Sequence, residues 1–254
     1  MQVGNMGKQG EIDYFGALSE HAQQHAIGKP FSDAQCGTLI TRIGQVMALL
    51  PPTPARILDL GCGTGWTSSF LARLGYQVVG VDIAPDMIQV ATQAKDQMGL
   101  ENLSFQVADY ESLQEDSSVD GVVFFDSLHH AEDEMIALEA AFSALRPGGV
   151  CVVAEPGIGH HETEASLHAV EAFGVNEKEM PPTKVIRMAR NIGFSSWRVR
   201  PNHGQLLSLL NAADLGDRKG LLGLMLRLSI TRPLIASALI LGGKYVSGVV
   251  VLEK

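Results

Sequence analysis

Three groups of residues in this 254-residue chain have the types and spacing to do chemistry. The first is Asp59-Leu60-Gly61-Cys62-Gly63-Thr64-Gly65, which follows the apolar run from Arg56 and precedes a helical stretch, Trp66 to Leu74. Glycines at 61, 63 and 65 remove the Cβ atoms that would keep a ligand from the backbone, and a helix starting there offers free N–H groups. The second is Asp82, seventeen residues after Gly65 at the end of another apolar run, where a carboxylate can accept both hydroxyls of a ribose. An adenosine-containing ligand is expected. The third consists of two histidine pairs, His129-His130 and His160-His161, placed after later apolar runs. Imidazole is suited to general-base work because its ordinary pKa, about 6.5, lies near neutrality.

Two adenosine ligands compete for such a loop. The dinucleotide fingerprint GxGxxG requires a third glycine where this chain has Trp66, which argues against NAD and an oxidoreductase. Asp59, just ahead of the glycines, would repel a pyrophosphate and suits a ligand carrying an ammonium and a sulfonium.

The segment Leu58-Asp59-Leu60-Gly61-Cys62-Gly63-Thr64-Gly65 resembles the glycine signature of class I S-adenosylmethionine-dependent methyltransferases. Val79-Gly80-Val81-Asp82-Ile83-Ala84-Pro85-Asp86-Met87 is similar to that family's ribose-binding segment, and Val107-Ala108-Asp109-Tyr110 to its adenine-binding segment. Val119-Asp120 through Phe125-Asp126-Ser127-Leu128-His129-His130, and Leu145-Arg146-Pro147-Gly148-Gly149, resemble the segments around its fourth and fifth strands. The resemblance spans roughly residues 55–155 in the family's order. It implies S-adenosyl-L-methionine as methyl donor, S-adenosyl-L-homocysteine as product, and direct in-line displacement without a covalent enzyme intermediate. It also implies that Gly61, Gly63, Gly65 and Asp59 surround the methionine end, while Asp82 takes the ribose and Ile83 packs on the adenine. Asp109 would meet the adenine amino group with Tyr110 alongside, and Asp126 and Ser127 would line the reactive end. The acceptor is expected to be a small or lipid-linked molecule methylated at oxygen, with His130, His160 and His161 as candidates for taking its proton or contacting it. A non-catalytic S-adenosylmethionine-binding scaffold or sensor is the alternative.

Asp126, His129, His130, Glu155 and His160 could meet in space, but no HExxH or paired-carboxylate signature occurs, and no metal is expected. Cys62 and Cys151 lack basic neighbours in sequence and read as packing residues. With Cys36 they make three well-separated cysteines, neither a disulfide framework nor a zinc site.

Alternation of short apolar runs with helical stretches positions these groups. Strands are expected at Arg56 to Leu60, Gln77 to Val81, Leu103 to Ala108, Val119 to Phe125 and Val150 to Glu155, the last after the Pro147-Gly148-Gly149 turn. Helices are expected from Trp66 to Leu74, from Pro85 to a stop at Gly99, and from Glu132 to Leu145. Upstream, Ala34 to Leu50 reads as a helix capped by Ser32 or Asp33. Downstream come a helix from Thr183 to Ile192 and strands at Ser195 to Val199 and Tyr245 to Leu252. The pattern implies an α/β, Rossmann-like doubly wound sheet of seven strands, mostly parallel with an antiparallel last strand. N-terminal helices form a cover over residues 1–54, and a methyltransferase domain over 55–254 carries a helical insertion at about 202–243.

Composition narrows the partners. The formal net charge is −9, which argues against nucleic acid. The charge is uneven, because residues 1–183 carry 8 basic and 25 acidic side chains while residues 184–254 carry 11 and 3. The leucine-rich insertion is too short to span a bilayer. It suits a lid, a dimer surface, or a peripheral membrane contact through 218–244. Residues Glu155 through Phe194 are similar to methyltransferases that accompany glycan and lipid-linked saccharide assembly. The N-terminus has no apolar core of a signal peptide, so a cytoplasmic location is expected.

Overall fold

The computed structural model describes residues 6–113, 118–211, 234 and 248–254. Seven strands, β1 (Arg56–Leu60), β2 (Gln77–Asp82), β3 (Leu103–Val107), β4 (Val119–Phe125), β5 (Leu145–Ala154), β6 (Ser196–Pro201) and β7 (Gly248–Glu253), form one sheet in the order β3-β2-β1-β4-β5-β7-β6. The first five pair in parallel, and β7 runs antiparallel between β5 and β6, as the sequence pattern predicts. Strand order reverses between β1 and β4, so their carboxyl ends diverge and leave the crevice in which open α/β sheets bind ligands.

Helices cover both faces because the strands are apolar on both sides. On one face, α3 (Cys36–Leu49) and α4 (Trp66–Leu74) bury Ile43, Val46, Leu71 and Ala72 against the sheet. On the other, α6 (Glu134–Ala144) and α8 (Pro182–Ile192) contribute Leu138, Ala141, Val185 and Met188. Among the described residues, the remaining named α-helices are α1 (Met6–Ala17), α2 (Glu20–Ile27), α5 (Pro85–Met98), α7 (Glu164–Phe173) and α9 (His203–Asn211). Among the described residues, no helix is long and apolar enough to cross a membrane.

Several boundaries differ from the sequence expectation. The helix expected from Ala34 starts at Cys36, with Gln35 as its N-cap, because the Asp33 carboxylate accepts the Gln35 N–H at 2.6 Å and holds a turn there instead. The α6 helix begins at Glu134 because the Asp133 side chain caps the Met135 and Ile136 N–H groups. Strand β5 starts at Leu145, five residues early. Leu145 pairs with Val119 and Val150 with Gly121, so Arg146 to Gly149 bulges out between two pairings. Most of the expected insertion lies outside the described residues; its described start, α9, is helical. Tyr245 to Ser247 of the last strand also lie outside them.

Candidate active site

The carboxyl ends of β1, β2, β4 and β5 open on a cavity of about 750 Å³. Gly61 and Gly63 form part of its floor. Gly61 has φ +74°, and a Cβ there would stand 2.4 Å from Cβ of Ser127, so only glycine lets β1 turn this close to β4. The Ser127 hydroxyl donates to the Leu60 carbonyl at 2.6 Å and ties the same two strand ends together. Gly65 has another task. Its φ of +79° starts α4, and a Cβ would meet Phe105 at 2.5 Å, so it serves helix–strand packing and does not line the cavity.

Asp82 lines the cavity at the end of β2. Its two oxygens each accept one backbone N–H, from Gly63 at 2.8 Å and Ala84 at 2.9 Å, which fixes the carboxylate and leaves lone pairs for hydroxyl donors. Burial raises its pKa, and the two backbone hydrogen bonds oppose that shift. Ile83 lies beside it in the lining. Asp109 also lines the cavity, accepting Lys8 Nζ from α1 at 2.7 Å and its own turn's Glu111 N–H. Tyr110 donates its hydroxyl to the Ser127 carbonyl at 3.0 Å.

Asp59 is 1% exposed and points away from the cavity. One of its oxygens accepts both the Thr67 and Ser68 hydroxyls at 2.6 Å, in the first turn of α4. The structure therefore places it beneath the α4 N-terminus and outside the cavity lining. Burial raises its pKa against those two hydrogen bonds.

Asp126 faces the cavity with φ +51°, and Arg42 of α3 clamps its oxygens at 2.6 and 2.5 Å. Burial works against this carboxylate, but the guanidinium outweighs it and holds the pKa below the usual value. Arg42 also stacks over Phe125, 4.6 Å from the ring centre.

Three of the four paired histidines, His129, His130 and His160, also line the cavity. His129 and His130 lie on a single 3-10 turn after β4, and His160 and His161 on another after β5. His129 donates Nδ1–H to Glu155 at 2.6 Å. Glu155, 2% exposed, also accepts the N–H groups of Ser127 and Leu128 at 2.8 and 2.9 Å and that of His129 at 3.3 Å. His129 Nε2 thereby faces Glu177, at 3.8 Å, and His160 Nε2 lies 2.7 Å from the same Glu177 oxygen. Burial disfavours the Glu177 carboxylate, but the His160 hydrogen bond and the neighbouring imidazoles hold its pKa below the ordinary value. His130 turns away, donating Nδ1–H to the Asn176 carbonyl at 2.6 Å with Glu11 of α1 at 3.2 Å. Burial lowers its pKa, yet Glu11, Glu177 and the Asn176 carbonyl overcome this and raise it to about 9. These neighbours favour the charged form of His130. His161 is outside the cavity lining.

Of the residues expected from sequence, Gly61, Gly63, Asp82, Ile83, Asp109, Tyr110, Asp126, Ser127, His130 and His160 line one cavity, and Asp59, Gly65 and His161 do not. The sequence reading overlooked Glu177, which sits in the polar run Asn176-Glu177-Lys178-Glu179 that reads as a solvated loop. It also overlooked Arg42, whose signal was present as a lone charge among Leu39, Ile40 and Ile43 on a helix.

Residues 54–192 match the family described as a methyltransferase domain. The chain belongs to that family, the class I S-adenosylmethionine-dependent methyltransferases. It is 37% identical over 110 residues to a ubiquinone biosynthesis O-methyltransferase of Xanthomonas axonopodis pv. citri, covering 42% of this chain and 46% of that protein. The chain thus matches about half the length of such curated relatives. Among solved structures, an S-adenosylmethionine-dependent methyltransferase from Mesorhizobium loti superposes with a TM-score of 0.59 at 19% identity, over 84% of this chain and 98% of the other. Phosphoethanolamine N-methyltransferase 2 of Haemonchus contortus, solved with S-adenosyl-L-methionine, gives 0.59 at 21% identity over 84% of this chain and 51% of the other. At such identities these two establish the shared fold.

Proposed function

We propose that this chain transfers a methyl group from S-adenosylmethionine to an oxygen of a small or lipid-linked acceptor, releasing S-adenosylhomocysteine. The observation that carries the reading is one cavity with two unlike stretches of wall: a glycine turn with a fixed carboxylate at Asp82, and a cluster of imidazoles and carboxylates. The first wall fits the donor. The floor at Gly61 has no room for a Cβ, and Asp82 is pre-oriented by two backbone N–H groups with acceptor capacity left for ribose hydroxyls. Ile83 would pack on the adenine and Asp109 would meet its amino group, which requires Lys8 to share or yield the Asp109 carboxylate. Bound there, the sulfonium supplies an electrophilic methyl.

The second wall would handle the acceptor. A hydroxyl must lose its proton as oxygen attacks, and the His129–His160–Glu177 cluster would receive it, whereas His130, whose charged form its neighbours favour, is less suited to that role. The chain's main contribution is alignment of acceptor and methyl, an effect worth on the order of 7–11 kcal/mol in favourable cases. The O-methyltransferase names of the curated relatives support oxygen as the target.

The test is incubation with methyl-labelled S-adenosylmethionine and phenolic, saccharide and lipid-linked acceptors, followed by aqueous–organic partition. Labelled product in either phase supports the reading. Tight S-adenosylhomocysteine binding without label transfer to any acceptor points instead to a scaffold or sensor. Asp82→Ala is expected to weaken S-adenosylhomocysteine binding about tenfold or more, read by calorimetry, because buried ribose hydroxyls lose their acceptor. Unchanged affinity removes Asp82 from the donor site.

A further inference from the structure

We propose that His129, His160 and Glu177 form a binding site for one divalent transition-metal ion of the zinc type, set in the cavity wall. One ligand atom from each of the three lies within 4.8 Å of the others. Glu177 Oε2 stands 2.7 Å from His160 Nε2 and 3.8 Å from His129 Nε2. A tetrahedral ion with bonds of about 2.1 Å needs donor atoms roughly 3.4 Å apart, and the two distances bracket that spacing. The imidazole rings stand edge-on, 85° between planes with centroids 4.9 Å apart, so neither ring blocks the other's nitrogen.

The surroundings resemble a metal site more than a chance cluster. His129 donates its second ring nitrogen to Glu155, the carboxylate–histidine arrangement that fixes which nitrogen faces an ion and raises its basicity. Glu155 is itself anchored by three backbone N–H groups. Glu177 also accepts the Ser166 hydroxyl at 3.1 Å, which orients its carboxylate. The loop bearing Glu177 is pinned on both sides. Asn176 bonds Glu11 and the His130 carbonyl, and Lys178 reaches the Ala131 and Glu132 carbonyls. Three elements distant in sequence are thereby held with their donors converging.

Two imidazole nitrogens and one carboxylate oxygen suit zinc and its first-row neighbours, whereas magnesium and calcium prefer all-oxygen sets. Three protein ligands leave at least one coordination position open, the mark of a reactive rather than a structural site. All three residues line the cavity, so the open position is available to an oxygen of a bound molecule. On binding the ion, the His160 proton moves from Nε2 to Nδ1. The site stands independently of methyl transfer; its use there rests on the function proposed above. In that use the ion would replace the cluster as the group that activates the acceptor: the hydroxyl would coordinate it and give up its proton to solvent. Its oxygen then forms the new bond to the methyl carbon while the carbon–sulfur bond breaks, leaving neutral S-adenosylhomocysteine.

The experiment is equilibrium dialysis of the chelator-treated, tag-free full chain against Zn2+, with Co2+ as a spectroscopic probe and no methyl donor or acceptor present. One Zn2+ per chain is expected, with affinity reduced about 100-fold or more in His160→Ala and Glu177→Gln, and about tenfold in Glu155→Gln through the lost support of His129. Circular dichroism of the metal-free variants checks that they fold. Failure to bind stoichiometric Zn2+, or equal binding by folded His160→Ala and Glu177→Gln, overturns the proposal and leaves His160–Glu177 as a hydrogen-bonded pair. Metal binding without methylation of any acceptor leaves the site intact and sinks the transfer reading. Methylation by a chain that binds no Zn2+ does the reverse.

Discussion

Gly61 illustrates how tightly single residues constrain this site. An added Cβ would meet Ser127 Cβ at 2.4 Å and would also force a left-handed backbone on an L side chain. Gly61→Ala is therefore expected to cost about 1–3 kcal/mol in urea unfolding, and the shifted β1 turn should weaken S-adenosylhomocysteine binding as well. The Arg42–Asp126 pair gives a prediction in pH. Asp126 has a pKa lowered in the fold, so its contribution to stability is complete above the unfolded value of about 3.8 and is lost as pH falls through the lower folded value. Urea midpoints between pH 6 and pH 3 should fall more steeply for the parent than for Asp126→Asn; parallel slopes would show that the pair is energetically silent. At this scale the sequence was informative where position along a strand decides the role. Asp82 ends β2, and its carboxylate had to face the crevice. Asp59 lies inside β1, and sequence proximity to the glycines concealed that its side chain faces the α4 N-terminus. Glu177 was illegible because nothing local marks a carboxylate that becomes a partner only when two distant histidine turns arrive beside it.

Helices α1 and α2 show the same limit one level up. Their polar sequences, Met6–Ala17 and Glu20–Ile27, carry little apolar periodicity, and the contacts of α1 are specific rather than greasy. A Cβ on Gly10 would stand 2.5 Å from the Gly174 carbonyl, and Lys8 and Glu11 contact Asp109 and His130 in the cavity lining. Gly10→Leu is expected to undock α1, seen as faster tryptic cleavage at Lys8 in the ligand-free protein with a fall of only a few degrees in Tm. Unaltered cleavage would mean that α1 docks without its close approach to α7's C-terminal turn. The strands, in contrast, were readable almost to the residue because their apolar runs are bounded by glycine and proline signals. The exceptions are β6, which runs on to Pro201, two residues past the expected end, and β5, where pairing of Leu145 with Val119 overrides the Pro147-Gly148-Gly149 turn and retains it as a bulge.

For the whole molecule, sheet order follows from the alternation of strands and helices, and the charge asymmetry bears on partners. Residues 184–254 carry 11 basic and 3 acidic groups against the acidic remainder. If the basic end meets anionic headgroups, the full chain should co-sediment with vesicles rich in anionic lipid, less so as salt rises, and not after deletion of residues 218–243. Binding that ignores salt would exclude that contact. A different consequence follows from where the cavity walls originate. The proposed donor contacts at Gly61 to Tyr110 and the His129–His160–Glu177 cluster all lie inside the stretch matched by the family, whereas Lys8, Glu11, Arg42 and Gln205 enter the lining from outside residues 54–192. Part of the lining is thus heritable apart from the matched stretch. Drift or recombination in the flanking coding sequence can change what these four positions present to the cavity while the matched stretch stays the same, so kinship across that stretch leaves part of the lining unspecified.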